Sequence, residues 1–141
     1  MPTWIIYSLI SMFFAGLTSV IAKSGMKELS ADVALSVRTA VVFIFIILNS
    51  ILFQNIKTVS QASWKSLGFL AISGITTSLS WIFYYRAIKI GNVSQVALID
   101  KGSIIITLLL SFWILKEPFS VKTMVGAALI MSGIAVLTFW K

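Results

Sequence analysis

Long apolar stretches separated by short polar ones dominate the chain. A helix needs about 20 apolar residues to cross the hydrocarbon core of a bilayer, and each stretch has about that length. We therefore predict five membrane-spanning helices, at residues 3–22, 33–53, 65–87, 93–115 and 121–140. Because unpaired backbone groups are costly in lipid, only helices or closed barrels can span it, and the run lengths select an all-α membrane protein, a bundle of five transmembrane helices. We expect one domain over 1–141, with Asp32 capping the second span and Ser120 capping the fifth.

The composition supports an integral, multi-pass protein surrounded by membrane lipid, which we place in the inner cell membrane. The chain is 59% hydrophobic and 11% charged, with a mean hydropathy of +1.04, which excludes an ordinary soluble domain. The net charge of +7 is carried by single residues at the ends of apolar runs rather than by a patch, so we expect no nucleic-acid partner.

The residue types also argue against catalysis. The chain has no cysteine, no histidine and only four acidic residues, which are scattered. Disulfides, thiol chemistry and the usual transition-metal sites are therefore excluded, and there is no recognisable set of nucleophile and base. We expect no catalytic residue, no metal and no cofactor, and we predict that the protein is not an enzyme.

The fourth span contains an acid and a base that lie within the predicted membrane. The charge-free remainder of the span, residues 102–115, rises only about 21 Å as a helix, which is less than the roughly 30 Å of the hydrocarbon core. Asp100 and Lys101 must therefore enter the membrane. Such groups cost about 2.5 to 3.5 kcal/mol each on insertion scales, and they usually face a cavity or one another.

Two arginines are predicted to lie near this pair. The second and fourth spans start from the same face of the membrane, so Arg38, about 8 Å along its helix, is level with Asp100 and Lys101, about 11 to 12 Å along theirs. Arg86 ends the third span on that face. The excess of positive charge suits an anionic or carboxylate-bearing ligand. Two alternatives stay open: a structural ion pair between Arg38 and Asp100, with Lys101 reaching to the interface, or a proton-accepting Asp100.

Hydroxyl-bearing residues form stripes along three of the spans. The stripe of the fourth span comprises Asp100, Ser103, Thr107 and Ser111. The stripe of the third span comprises Ser73, Thr77, Ser80, Trp81 and Tyr84. The stripe of the first span comprises Ser8, Ser11 and Ser19. Small hydroxyl residues often serve close helix packing alone, but three stripes together favour the lining of a polar cavity.

Several motifs resemble those of one transporter family. They are Arg38-Thr39 at the start of the second span, SWIFYYRAIKIGNVSQV at 80–96, IDK at 99–101, and KEP at 116–118 followed by GAALIMSGIAVL. The chain resembles a single EamA-type repeat, and more narrowly the half-size, five-span bacterial and archaeal members of the drug/metabolite transporter superfamily. Larger members carry two such repeats in inverted orientation with the substrate path between them.

This resemblance implies a transporter that works as a dimer, and it implies no substrate. It matches six residues to motif positions: Arg38, Tyr85, Arg86, Asp100, Lys101 and Glu117. The first span lacks the glutamate that small multidrug exporters of the superfamily use to couple protons to drugs. We therefore do not expect drug-cation export by that chemistry.

We predict a secondary transporter of an unidentified small solute that acts as a homodimer of five-helix units, with a polar cavity near Arg38, Asp100 and Lys101. The predicted solute or ion path also includes Ser80, Tyr84, Tyr85, Arg86, Ser103 and Thr107. The alternative is a non-transporting membrane subunit, or a partner of a lipid-carrier translocase, whose charges only hold the bundle together. A near-balance of Lys and Arg on the two faces leaves parallel and antiparallel pairing both open.

Overall fold

The computed structural model describes residues 2–53, 62–118 and 120–139, and these form helices joined by short turns, without any strand. The helices are α1 (Thr3–Gly25), α2 (Ala31–Phe53), α3 (Trp64–Ile90), α4 (Val93–Asp100), α5 (Ser103–Ile114) and α6 (Val121–Phe139). Five segments are long and apolar enough to cross a membrane, with α4 and α5 together forming the fourth, Val93–Ile114. The predicted all-α membrane bundle is confirmed. Trp140, the last residue of the predicted fifth span, lies outside the described residues.

Serine side chains begin three of the helices. The Oγ atoms of Ser30, Ser63 and Ser120 each accept a hydrogen bond from the backbone N–H three residues later, at 3.3, 3.1 and 3.1 Å. These bonds satisfy amide groups of the first turn that have no partner within the helix. The predicted cap at Ser120 is confirmed. The predicted cap at Asp32 is wrong, because Ser30 caps α2 and leaves the Asp32 carboxylate free for another contact.

The fourth span is not the continuous helix that the sequence predicts, because the helix is interrupted between Asp100 and Ser103. Around the interruption, the N–H groups of Lys101 and Gly102 donate to the carbonyls of Leu98 and Ile99, three residues earlier rather than four. A Cβ atom at Gly102 would lie 3.0 Å from the Ile99 carbonyl oxygen and 3.6 Å from Ile134 Cδ1 on α6. Glycine therefore suits the tightened turn and the approach of α6.

A lysine in the left-handed conformation ends α5. Lys116 has a φ of 55°, and the following N–H of Glu117 turns back to donate to the Ser111 carbonyl at 3.3 Å. The Ser111 carbonyl also accepts from the Leu115 N–H at 3.0 Å, so it receives two bonds at the end of the helix, as in C-terminal capping motifs. The chain then continues into Pro118, which cannot extend the helix.

The chain forms two compact units, residues 1–90 and 91–141. In the first unit, α3 contacts both α1 and α2. Its buried side chains gather where α1 and α3 end and α2 begins, and they are Met26, Ala31, Leu35, Tyr85 and Ile88. In the second unit, α4 contacts α6, and none of its described residues is buried. Most apolar side chains of both units point outward, as expected of helices that face lipid or further helices.

Candidate functional site

The last turns of α3 place side chains toward both neighbouring helices of the first unit. Trp81 and Tyr85 lie one turn apart and contact Arg38 of α2. The Arg38 Cζ atom is 4.4 Å from the centroid of the Trp81 ring and 5.7 Å from that of the Tyr85 ring. Both distances are within the range of a cation–π contact. We call these three residues the Arg38 cluster.

The Arg38 cluster contains two polar atoms without a hydrogen-bond partner. Arg38 Nη1 and the Tyr85 hydroxyl oxygen are both buried, and neither bonds to another group. Tyr85 as a whole is only 3% exposed. Leaving a buried donor unsatisfied costs about 1–3 kcal/mol, and more when the group is charged. Native structures rarely leave such atoms unpaired, so the cluster needs an acceptor that the described residues of the first unit do not supply.

Arg86 follows Tyr85 in sequence but has a different environment. Its Nε and Nη2 atoms donate to the two carboxylate oxygens of Asp32, at 3.0 and 2.9 Å. The two side chains are 56% and 58% exposed. This pair was not predicted from the sequence, because Asp32 was predicted to cap α2. The available signal was position, since Asp32 begins α2 and Arg86 lies near the end of α3, both on the same predicted membrane face.

Two lysines, one near the end of α1 and one near the end of α3, each donate hydrogen bonds to the end of the other helix. Lys23 of α1 donates to the carbonyls of Ile88 and Lys89, the latter at 2.9 Å. Lys89 of α3 donates to the carbonyl of Met26, and its Nζ atom lies 3.5 Å from the Lys27 carbonyl oxygen. The last carbonyls of a helix lack partners within it and carry partial negative charge, so each lysine satisfies the end of the other helix. Basic residues in both last turns are the sequence signal for this contact. We call Lys23, Asp32, Arg86 and Lys89 the helix-end cluster.

Tyr84 joins α3 to α1 at the last members of the stripes predicted for the third and first spans. Its hydroxyl shares a hydrogen bond of 2.7 Å with Ser19. Other hydroxyls bond within their own helix, donating to the carbonyl four residues earlier. They include Ser8, Thr18, Ser24, Ser36, Thr77, Ser78, Thr107, Ser132 and Thr138. A hydroxyl that is satisfied in this way needs no solvated path, so the stripes alone do not require a cavity.

The acid and the base of the fourth span lie at the end of α4. Asp100 Oδ2 is 3.8 Å from Lys101 Nζ, which is close enough for electrostatic attraction but too long for a hydrogen bond. The Asp100 side chain is 40% exposed and that of Lys101 is 63% exposed. Ser103 begins α5 directly after the interruption, and Thr107 donates to the Ser103 carbonyl at 3.1 Å.

The predicted path residues are thus divided between the two units. Arg38, Ser80, Tyr84, Tyr85 and Arg86 lie in the first unit, and Asp100, Lys101, Ser103 and Thr107 lie in the second. Tyr84 and Tyr85 face different neighbours, Ser80 is exposed on α3, and Arg86 is bound by Asp32. The ion pair between Arg38 and Asp100 stays a prediction. The described residues contain no group of three or more His, Cys, Asp or Glu side chains that could hold a metal ion.

Comparison with known proteins identifies the class of protein. The EamA-like transporter family model matches residues 2–139. The chain belongs to the EamA-like transporter family. A relative from Sinorhizobium sp, named "Uncharacterized transporter in cobO 3'region", is 33% identical over 135 residues, which cover 96% of each of the two chains. No solved structure matches the chain. With five candidate spans, this member of the EamA-like family is a multi-pass membrane transporter.

Proposed function

We propose that this EamA-like transporter family member is a secondary transporter of a small solute in the inner cell membrane. The single observation that carries the proposal is the interruption of the fourth span directly after Asp100. The backbone angles stay helical there, but the hydrogen bonds tighten to carbonyls three residues earlier, and such a stretch inside a helix often marks a functional hinge. Interrupted helices in secondary transporters commonly form the solute or ion site.

The charges beside the interruption support the same assignment. Asp100 and Lys101 both keep a large exposed fraction within the chain itself. Ionisable side chains inside a membrane segment face a cavity or a partner rather than lipid, because exposure to hydrocarbon is too costly. The proposed path therefore runs past Asp100 and Lys101, with Arg38 contributing further positive charge, and solute passes by alternating access.

The same exposure argues for a homodimer. One five-helix chain supplies one wall of a cavity, and a second copy supplies the other. The resemblance to larger transporters with two repeats in one chain supports this arrangement. Mass photometry in native-like lipid tests it, with a mass of two chains as the expected result. A monomer that retains uptake would contradict the dimer. Cross-linking between single cysteines introduced near either end of a span would distinguish parallel from antiparallel pairs.

The role of Asp100 decides between transport and a purely structural use of the charges. Purified protein is first screened by thermal shift against metabolite anions, amino acids and lipophilic cations, and solutes that stabilise it are then tested for uptake into proteoliposomes. Asp100→Asn keeps the size of the side chain but removes its negative charge and its ability to accept a proton. We expect it to abolish most uptake while leaving assembly intact, and we expect a milder loss for Lys101→Met.

A purely structural pairing of Asp100 with Arg38 predicts a different pattern. If Asp100 serves only to pair with Arg38, removing either partner leaves a buried charge and costs about 3–5 kcal/mol of stability. The double variant Arg38→Met with Asp100→Asn then recovers both stability and uptake. Recovery of both stability and uptake would contradict a transport role for Asp100.

A further inference from the structure

The Arg38 cluster has a positive charge and no acid to balance it within its own unit. The nearest acid in sequence, Asp32, has both carboxylate oxygens bound by Arg86. None of the acids described in the first unit forms an ion pair with Arg38. The guanidinium nevertheless lies seven residues after the start of α2, which is about 10 Å along the helix and inside an apolar span.

The contacts that Arg38 does make leave its hydrogen bonds unused. The Cζ atom lies over the Trp81 and Tyr85 rings, and these ring contacts supply no oxygen acceptor to the guanidinium N–H groups. A guanidinium donates its hydrogen bonds along its edge and not from its face. The rings therefore hold Arg38 in position and partly balance its charge, while Nη1 has no acceptor. The Tyr85 hydroxyl, on one of the same two rings, is a second unused donor.

We propose that the Arg38 cluster binds the carboxylate group of the transported solute, with Arg38 donating to the carboxylate oxygens and the Tyr85 hydroxyl donating a further bond. This inference rests on the proposed transport function and adds the chemical class of the solute. A carboxylate is planar and presents two oxygens at the spacing of the guanidinium fork. It carries one negative charge, which balances the one positive charge of the cluster.

A lipid phosphate is the other oxyanion available in a membrane. The head groups lie outside the hydrocarbon core, whereas Arg38 is about 10 Å along the spanning helix and is packed beneath aromatic rings. These considerations favour a solute carboxylate, and the experiment separates the two sources.

The test measures acetate binding to the full-length protein in nanodiscs of phosphatidylcholine, which has no net charge. Saturation-transfer NMR detects weak binding, and acetamide is the matched neutral probe with nearly the same shape. We expect acetate to bind saturably and acetamide to bind at least about tenfold more weakly, because bonds between a charged donor and a charged acceptor are the stronger ones.

Variants connect acetate binding to the cluster. We expect Arg38→Gln to weaken acetate binding by more than about tenfold and Tyr85→Phe, which keeps the ring and removes one hydroxyl, by about three- to tenfold. Lys65→Gln removes one positive charge from an exposed position in the first turn of α3 and serves as the matched control, with binding unchanged. If Arg38→Gln does not fold, Tyr85→Phe still decides the question.

Four results would overturn the proposal. They are no saturable acetate binding, equal binding of acetamide, acetate binding that neither cluster variant weakens, and loss of acetate binding when phosphatidylglycerol replaces phosphatidylcholine. The last result, if it persists at high salt that screens the negative membrane surface, would assign the cluster to an anionic lipid head group. If the proposed transport function is wrong, the result differs from a failure of the carboxylate site, because Asp100→Asn then has no effect on the uptake of any solute. An uptake defect in Asp100→Asn together with normal acetate binding in both cluster variants would keep the transporter and reject the carboxylate site.

Discussion

Arg38 of α2 and Arg86 of α3 both lie at the contact between these two helices, yet only one of them has a partner for its charge. Arg86 is exposed and is bound through two nitrogens to both oxygens of Asp32. Arg38 stacks on Trp81 and Tyr85, and its buried Nη1 atom has no acceptor. Arg86 thus has an acidic partner within the unit, whereas Arg38 Nη1 has no hydrogen-bond acceptor among the residues described there.

The helix-end cluster repeats the pattern of Arg86. Lys23 and Lys89 each donate to carbonyl groups at the end of the neighbouring helix, so the cations of this cluster have acceptors from the first unit itself. The buried side chains of the unit also gather at this end. We infer that the contacts at the helix ends stabilise the unit, whereas the Arg38 cluster keeps unsatisfied donors that can bind a ligand. Sites of function commonly give up stability in this way.

The largest expected effect is a separation of activity from stability at Arg38. Arg38→Met removes an unsatisfied buried donor, which relieves about 1–3 kcal/mol, and it loses a cation–π contact of about 0.5–2 kcal/mol. These terms nearly cancel, so we expect the free energy of unfolding to change by no more than about 1 kcal/mol. Uptake should fall more than about tenfold. Reversible unfolding in detergent and proteoliposome uptake measure the two quantities. A loss of about 3–5 kcal/mol in stability would instead identify Arg38 as half of a structural ion pair.

The opposite separation is expected at Lys89. Lys89→Met removes the donor to the last carbonyl groups of α1, and charged hydrogen bonds of this kind contribute about 1.5–3 kcal/mol. We expect stability to fall by about that amount, whereas uptake per folded molecule stays close to that of the unchanged protein. Lys65 is an exposed lysine at the start of the same helix, so Lys65→Met is the matched control and should change neither stability nor uptake. Strong loss of uptake at unchanged stability would show that the helix-end cluster takes part in transport.

The pair of Asp32 and Arg86 should give a smaller effect, because both side chains are more than half exposed and exposed ion pairs contribute little. Asp32→Asn and Arg86→Gln should each lower the melting temperature slightly. The charge-reversed double variant, Asp32→Arg with Arg86→Asp, should recover part of the loss. The differences should shrink at high salt, which screens exposed charges. A large, salt-independent loss for either single variant would show that the pair is more deeply buried in the assembled protein.

Sequence reasoning succeeded where local chemistry determines the structure and failed where contacts between helices do. The five spans follow from run length and hydropathy, and the cap at Ser120 follows from residue type. Asp32 is equally suited to a cap and to an ion pair, and only the position of α3 beside α2 selects the pair. Position in the span located Arg38, but nothing in the residue pattern showed that Trp81 and Tyr85 cover it. The interruption after Asp100 was missed because Lys101 and Gly102 keep helical backbone angles, and only the hydrogen bonds tighten.

The smallest expected effect concerns the hydrogen bond between Ser19 and Tyr84, which joins α1 to α3. Hydrogen bonds between helices in membranes contribute about 0.6 kcal/mol on average. Tyr84→Phe should therefore lower stability by roughly that amount. Ser19→Ala loses the same bond and also the bond from Ser19 to the Ala15 carbonyl, so the double variant should cost no more than Ser19→Ala alone. Tyr7→Phe, at an exposed tyrosine of α1, is the matched control. Additive losses would show that the two hydroxyls act independently, and a loss of acetate binding in Tyr84→Phe would extend the carboxylate site beyond the Arg38 cluster to the α1 side of α3.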